Sequence, residues 1–308
     1  MHNFTLNPNI LEDPIYLDLP ASWVGHIPFA FWLVENHKPQ IVVELGAHSG
    51  NSYFSFCQAV NSLSLKTQCY AIDSWEGDEH AGEYDGDKIF YKVNSHNEKL
   101  YSGFSSLKRM YFNDAVSEFE NGSIDILHID GLHTYEAVKN DYDTWLSKIS
   151  DRGIILFHDV TVREKDFGVW RLWDEVKNSY QSFLFDHCNG LGVLVVGKSV
   201  PSDFLASLLD HEVVAKKLFE SLGARLIDKA VNYEAVISKY EKFAQARDKE
   251  ILDLNGYISE LNANSSKQIN YRDELVAQLK DQIHDLEGSL ERLTKNPLLA
   301  LKAWLLRK

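Results

Sequence analysis

Three apolar runs constrain the fold of this chain more than anything else in it. IVVEL (41–45), IDILHID (124–130) and GIILFHD (153–159) are nearly continuous and rich in β-branched side chains. A run of this kind marks a strand buried on both faces, as in parallel sheets covered by helices. QCYAID (68–73) and the weaker RMYFND (109–114) fall between them, and SFLFDH (182–187) and LGVLVVG (191–197) follow. Helical stretches such as SYFSFCQAV (52–60) fill the gaps. This alternation predicts an α/β fold with a doubly wound, mostly parallel, seven-stranded Rossmann-like sheet. The last two strands are expected to close as an antiparallel edge hairpin around Cys188, Asn189 and Gly190.

Two of the strands run into acids, Asp130 and Asp159, with His128, His133 and His158 close by in sequence. Strand ends of a parallel sheet share one crevice. Two carboxylates and up to three imidazoles are therefore expected at one site, suited to metal or acid–base chemistry. His128 lies inside its strand and reads as a core histidine. His133 precedes the helix HTYEAVKNDYDTWLSKI, whose core face is expected to be Tyr135, Val138, Tyr142, Leu146 and Ile149. Trp170 and Trp173 stand at helical spacing and read as core, with stacking on a sugar ring as the functional alternative. Asp78, Glu79, His80 and Glu83 sit in a Gly-rich acidic loop, which fits a lid or a solvated loop equally.

A net charge of −14 disfavours a nucleic-acid backbone as partner. MHNFTLNPNILED lacks the basic start and apolar run of a secretory leader, so a cytoplasmic protein is expected. The organisation reads as an N-terminal helical cap (1–38), a catalytic domain (39–200), a helical and coiled-coil region (201–294) and a basic amphipathic tail (295–308). Val276, Leu279, Ile283, Leu286, Leu290 and Leu293 recur at alternating spacings of 3 and 4, and Ile251, Leu254, Ile258 and Leu261 form a second such piece. This pattern fits a coiled-coil homo-oligomer or a pair of amphipathic helices packed back on the domain. The tail LTKNPLLALKAWLLRK suits peripheral contact with a membrane surface.

The loop ELGAHSGNS (44–52) joins the first strand to a helix. Its glycines allow close backbone approach, and the helix N-terminus offers free N–H groups. It departs from the dinucleotide pattern GxGxxG, since His48 and Asn51 stand where glycine would. Glu44 would repel phosphate and accept hydrogen bonds from an amine-bearing ligand. This favours S-adenosylmethionine, with Asp73 accepting from the ribose hydroxyls. The expected cofactor-binding residues are Glu44, Gly46, His48, Gly50 and Asp73.

Together ELGAHSG, AIDSWEGDEHAG, HIDGLHTYEAVKNDYDTW and GIILFHDV resemble class I S-adenosylmethionine-dependent methyltransferases. More narrowly, they resemble the branch related to macrolide-sugar O-methyltransferases of the macrocin and mycinamicin type. The resemblance covers roughly residues 38–198. It implies an O-methyltransferase acting on a hydroxyl of a sugar, glycan or glycosylated metabolite, often in the company of glycan-assembly glycosyltransferases. It also implies a divalent cation, usually Mg2+, held by Asp130 and Asp159, and His133 as general base with Asp130 beside it. His158 is the third candidate metal ligand. It stands where some of those relatives have another acid, and imidazole is a poorer magnesium ligand than carboxylate. Two other functions fit the pattern less well: a nicotinamide-dependent oxidoreductase on the same fold, and a non-catalytic coiled-coil scaffold.

Overall fold

A computed structural model describes residues 4, 6–77, 85–263 and 269–295. The chain divides into two compact units, Met1–Ala230 and Val231–Lys308. The expected lid residues Asp78, Glu79, His80 and Glu83 lie outside the described residues, as does the tail from residue 296 onward.

The first unit contains β1 (Ile41–Leu45), β2 (Gln68–Asp73), β3 (Ser105–Arg109), β4 (Ile124–Ile129), β5 (Ile149–His158), β6 (Gln181–Phe185) and β7 (Leu191–Val195). Its helices are α1 (Ile27–His37), α2 (Asn51–Ser62), α3 (Gly86–Leu100), the short α4 (Phe112–Ala115), α5 (Tyr135–Trp145), α6 (Val169–Val176) and α7 (Ser202–Asp210), and α8 (Glu212–Ala263) begins in it. The seven strands form one sheet in the order β3-β2-β1-β4-β5-β7-β6. All pairings from β3 to β5 are parallel, and β7 pairs antiparallel with both β5 and β6. The expected hairpin is present, with β7 as an internal strand and β6 as the edge.

The uninterrupted apolar runs are explained by the two faces of the sheet. Side chains alternate along a strand. Val42, Ile126, Ile154 and Leu156 enter one core with α1 and α2. Val43, Leu127, Ile155 and Phe157 enter a second core with Val138, Trp145 and Trp173. Neither face of the central strands meets water, so hydrophobicity without alternation is what burial requires. The N-terminal segment and the start of α8 share the first core through Trp23, Ile27, Phe29, Phe219 and Leu226. The boundary expected near residue 200 thus falls within the first unit.

Three expected elements are corrected. β3 lies at Ser105–Arg109 rather than 109–114, paired with Cys69–Asp73. Its sequence, SSLKR, is polar because this is an edge strand, and the more apolar Met110, Tyr111 and Phe112 lie beyond it, at the cleft. β5 starts at Ile149, with an irregular register against β4 between Ile124 and Ile126. Ile149 is consequently a strand residue and not part of the helix face, where Trp145 is buried. Trp173 is buried as expected, but Trp170 is half-exposed and carries Arg163 over its ring.

The second unit contains the end of α8 and α9 (Ile269–Lys295). Ile258, Val276, Leu279 and Ile283 bury one another, with Ile251, Leu254 and Leu275 packed alongside. The two pieces of the apolar seam therefore meet within the chain. Spacing identifies the stripe but not its partner. The side chains of Leu261 and Leu293 lie outside the described residues.

Candidate active site

The strand order reverses between β1 and β4, and in open α/β sheets a crevice forms outside the carboxyl ends at that point. A cleft of about 850 Å³ lies there. At one side it is lined by Gly46, His48, Ser52 and Asp73, and at the other by Asp130, His133, His158 and Asp159. Pro20, Ser22 and Trp23 form a wall from the N-terminal segment. That segment is tied down by Asn51, whose side-chain amide donates to the carbonyls of Asp18 (2.7 Å) and Pro20 (2.9 Å) and accepts from the Asp18 amide (2.8 Å).

The first loop is shaped by close packing. Gly46 has φ +91°, and a Cβ there would sit 2.1 Å from the Asp130 carbonyl oxygen, so only glycine lets the two strand ends approach. The Asp73 carboxylate accepts from the His48 amide at 2.8 Å and from the Trp75 amide at 2.7 Å. The Trp75 indole donates back to the His48 carbonyl at 2.9 Å. The acid at the end of β2 thereby fixes the loop after β1, and its own orientation at the cleft is set.

Glu44 and Gly50 do not line this cleft. Glu44 is fully buried on the α1/α2 face of the sheet, opposite its register partner His128. It accepts from the Ser52 hydroxyl at 2.5 Å, and its other oxygen is 3.3 Å from His128 Nδ1, an ion-pair separation without hydrogen-bond alignment. Burial raises the Glu44 pKa, with His128 and Ser52 opposing. His128 accepts from the Trp23 indole at 3.0 Å, which puts its proton on Nδ1. His128 is the core histidine expected, and Glu44 belongs with it behind the cleft wall.

The acid–histidine cluster assembles as expected. His133 Nε2 lies 2.9 Å from Asp159 and 3.5 Å from Asp130. His158 Nδ1 lies 3.2 Å from Asp159 and 3.3 Å from Asp130, and its Nε2 faces the Cys188 carbonyl at 3.0 Å. Burial alone would lower the His133 pKa. The hydrogen bonds and charges of Asp130 and Asp159 outweigh it and raise the value to about 9. The same balance holds His158 well above its ordinary value. Burial would raise the two carboxyls, but the imidazoles hold both below the usual carboxylate range. The His133 ring stacks on Phe167 at 4.8 Å and 3°.

This geometry removes His158 from the expected metal ligands. Both its ring nitrogens face oxygen acceptors, and an imidazole donates from both only as a cation. Among the described residues the oxygens and nitrogens of Asp130, His133 and Asp159 remain close enough to share an ion. Magnesium prefers oxygen ligands and near-octahedral geometry. Here it would have to displace His133 from Asp159 and face the His158 cation. The residues do not fit magnesium, because two of the four side chains are imidazoles and both engage the carboxylates that would have to hold the ion.

One acid at the site was not singled out from sequence. Asp141 of α5 is buried in the cleft wall, and burial raises its carboxyl pKa to about 7 against a weak bond from Asn140. Its position between Val138 and Tyr142 on the helix's buried face was the available signal. Asn113 and Asn140, which bond each other at 3.0 Å, also line the cleft.

Residues 43–160, from β1 to just past β5, match the model of a family described as a methyltransferase domain. The matched stretch includes β4, β5 and most of β1, whose carboxyl ends border the cleft. Over 190 residues it is 46% identical to the uncharacterized protein y4gI of Sinorhizobium fredii, an alignment covering 62% of this chain and 21% of that protein. The chain thus spans about a fifth of that curated relative's length. Among solved structures, it resembles the O-methyltransferase TomG of Streptomyces achromogenes, involved in tomaymycin synthesis and solved with SAM. The identity is 12% and the TM-score 0.42, covering 59% of this chain and 92% of that one. It also resembles the SAH-bound methyltransferase PaMTH1 of Podospora anserina at 15% identity and a TM-score of 0.41, covering 55% of this chain and 77% of that one.

Proposed function

We propose that this protein is an S-adenosylmethionine-dependent O-methyltransferase acting on a hydroxyl of a sugar or glycan, without a metal step. One observation carries the reading. One cleft is lined both by residues of the Gly46–Ser52 loop with Asp73 and by Asp130, His133 and Asp159, which supports a cofactor on the first set and proton transfer by the second. The sulfonium of the cofactor needs no activation, so the protein's tasks are to orient the acceptor and remove its proton. Asn113, Asn140 and Asn189 line the cleft beside Tyr111 and Phe112, a surface of donors, acceptors and rings that suits a hydroxyl-rich acceptor.

His133 in its neutral form accepts the hydroxyl proton, and Asp159 holds the ring and stabilises the imidazolium that forms. With a pKa about 9 in the free protein, His133 is neutral in only ~1% of molecules at pH 7. The active form thus grows as pH rises. The His158 cation takes the electrostatic place of a divalent ion, keeping both carboxylates charged. Homo-oligomerisation through the C-terminal coiled coil, association with glycosyltransferases and peripheral membrane contact by the tail (295–308) are separate proposals, motivated by sequence pattern and by the resemblance.

The test is calorimetry with S-adenosylmethionine, followed by methyl transfer to sugar acceptors with and without EDTA. Binding and chelator-resistant transfer are expected. Failure of a folded sample to bind the cofactor would remove the main reading, and loss of turnover in EDTA, restored by magnesium, would remove the metal-free mechanism.

A further inference from the structure

We propose that His26, His187 and Cys188 form a site for a transition-metal ion of soft or borderline type, such as Zn2+, behind the catalytic cleft. The site goes beyond the methyltransferase reading and does not rest on it. Its residues come from two distant segments. His26 closes the single turn Val24–His26 ahead of α1, and His187 and Cys188 open the turn between β6 and β7. One ligand atom from each lies within 4.8 Å of the others. Ligands around a tetrahedral ion with bonds of about 2.0–2.3 Å stand ~3.5 Å apart, so the set would have to draw closer on binding.

The hydrogen bonds prepare these side chains for an ion. His26 Nε2 faces the Cys188 carbonyl at 3.2 Å, and His187 Nε2 faces the Gly25 carbonyl at 3.3 Å. A carbonyl only accepts, so each neutral ring carries its proton on Nε2 and a lone pair on Nδ1. Metal-ligating histidines are commonly oriented in this way, by a carbonyl on the opposite nitrogen. His26 is fully buried, and its Nδ1 has no hydrogen-bond partner among the described residues. An unsatisfied buried nitrogen is costly, and coordination removes that cost. The two rings lie 4.5 Å apart between centroids.

Room for the sulfur is built into the backbone. A Cβ at residue 25 would lie 2.2 Å from Cys188 Sγ, so Gly25 is the residue that admits it. On the other side Gly223 of α8 packs so closely that its Cβ would meet the Gly25 carbonyl at 2.1 Å. His187 and Cys188 are partly exposed, which gives an ion a route in and leaves a further position for water. Two imidazoles and a thiolate select zinc and its neighbours over magnesium or calcium. The Cys188 carbonyl also accepts from His158 Nε2 at 3.0 Å, so the turn that would hold the ion also touches His158.

Cobalt(II) is the probe, titrated into the full chain after chelation and dialysis. We expect saturation at a single equivalent, with a near-ultraviolet thiolate-to-cobalt charge-transfer band that Zn2+ abolishes. Cys188→Ser should lose the band, and His187→Ala should weaken binding at least ~10-fold. Cys57→Ser and Cys69→Ser should keep it. Cobalt held instead by Asp130, His133 and Asp159 gives no such band, since no sulfur is present. In the unmodified protein Zn2+ should also slow alkylation of Cys188 by iodoacetamide at least ~10-fold. Absence of the band in the native chain, its survival in Cys188→Ser, or unprotected alkylation would each overturn the site.

Discussion

Replacing Asp159 by asparagine isolates the electrostatics on which the catalytic reading depends. Burial favours the neutral His133 ring, and the two carboxylates reverse that preference to give a pKa about 9. Asp159 is the nearer, at 2.9 Å against 3.5 Å for Asp130. An opposite charge at such range is worth roughly 1–3 pKa units. Removing the nearer one, with Asp130 and burial unchanged, should bring His133 down by about 1–2 units, or ~1.4–2.7 kcal/mol of differential stabilisation. Asparagine suits the position because Asp159 has φ +60°, a left-handed conformation that Asn tolerates as Asp does. The assay is an NMR titration of the histidine Cε1 signals, with His133→Asn to assign the resonance. Because His158 shares both carboxylates, the titration steps belong to the cluster, and the quantity compared is the midpoint followed at the His133 signal. The pH dependence of kcat/KM should move in parallel. In the native protein it should climb about tenfold per unit up to about pH 9, and in Asp159→Asn it should level off at least ~1 unit earlier. A native His133 that titrates at or below 6.5, or a variant that titrates no lower than the native protein, would refute the reasoning.

Asp141→Asn should stabilise the protein at alkaline pH. The folded carboxyl titrates at about 7 against an ordinary 3.8, so the native state binds the proton more tightly than the unfolded chain does. That advantage is complete below pH ~3.8 and lost as pH rises through ~7, leaving a buried charge worth at most about 4 kcal/mol. The gain in Tm for Asp141→Asn should therefore be larger at pH 8 than at pH 5, and an equal gain at both would refute the assignment. Gly46→Ala should cost at least ~1–2 kcal/mol in urea denaturation, because it combines φ +91° with a Cβ 2.1 Å from the Asp130 carbonyl oxygen. Asp73→Ala removes the acceptor of the His48 and Trp75 amides. It should raise the S-adenosylmethionine Kd at least ~10-fold in calorimetry while leaving the His133 titration in place. If the His133 titration also moves, the loop and the cluster are coupled more tightly than the geometry implies.

Much of the site was legible because parallel strands deliver their ends to one place. Asp73, Asp130 and Asp159 each close an apolar run, and knowing that the runs are strands suffices to gather the acids. The core role of His128 was legible for the same reason, since it lies inside a run and not at its end. Glu44 was harder. It also lies inside a run, and only its register partner reveals that it faces His128 and Ser52 rather than the cleft. β3 was misplaced because an edge strand keeps its identity through backbone pairing, and SSLKR carries no apolar signature. Asp141 was passed over because a helical acid ordinarily faces water.

The sequence by itself determined the sheet, its two buried faces and the convergence of acids at the strand ends, because these follow from side-chain period and hydrophobic burial. It also located the apolar seam in α8 and α9, though only the folded chain shows the two pieces packing on each other. The tertiary structure decided what each polar group does. His158 reads in sequence as a potential metal ligand. In the fold it is a cation clamped between two carboxylates and the Cys188 carbonyl. Protonation state depends on which charges lie within a few ångströms, and a chain specifies those distances only once strands, turns and N-terminal wall have been packed together.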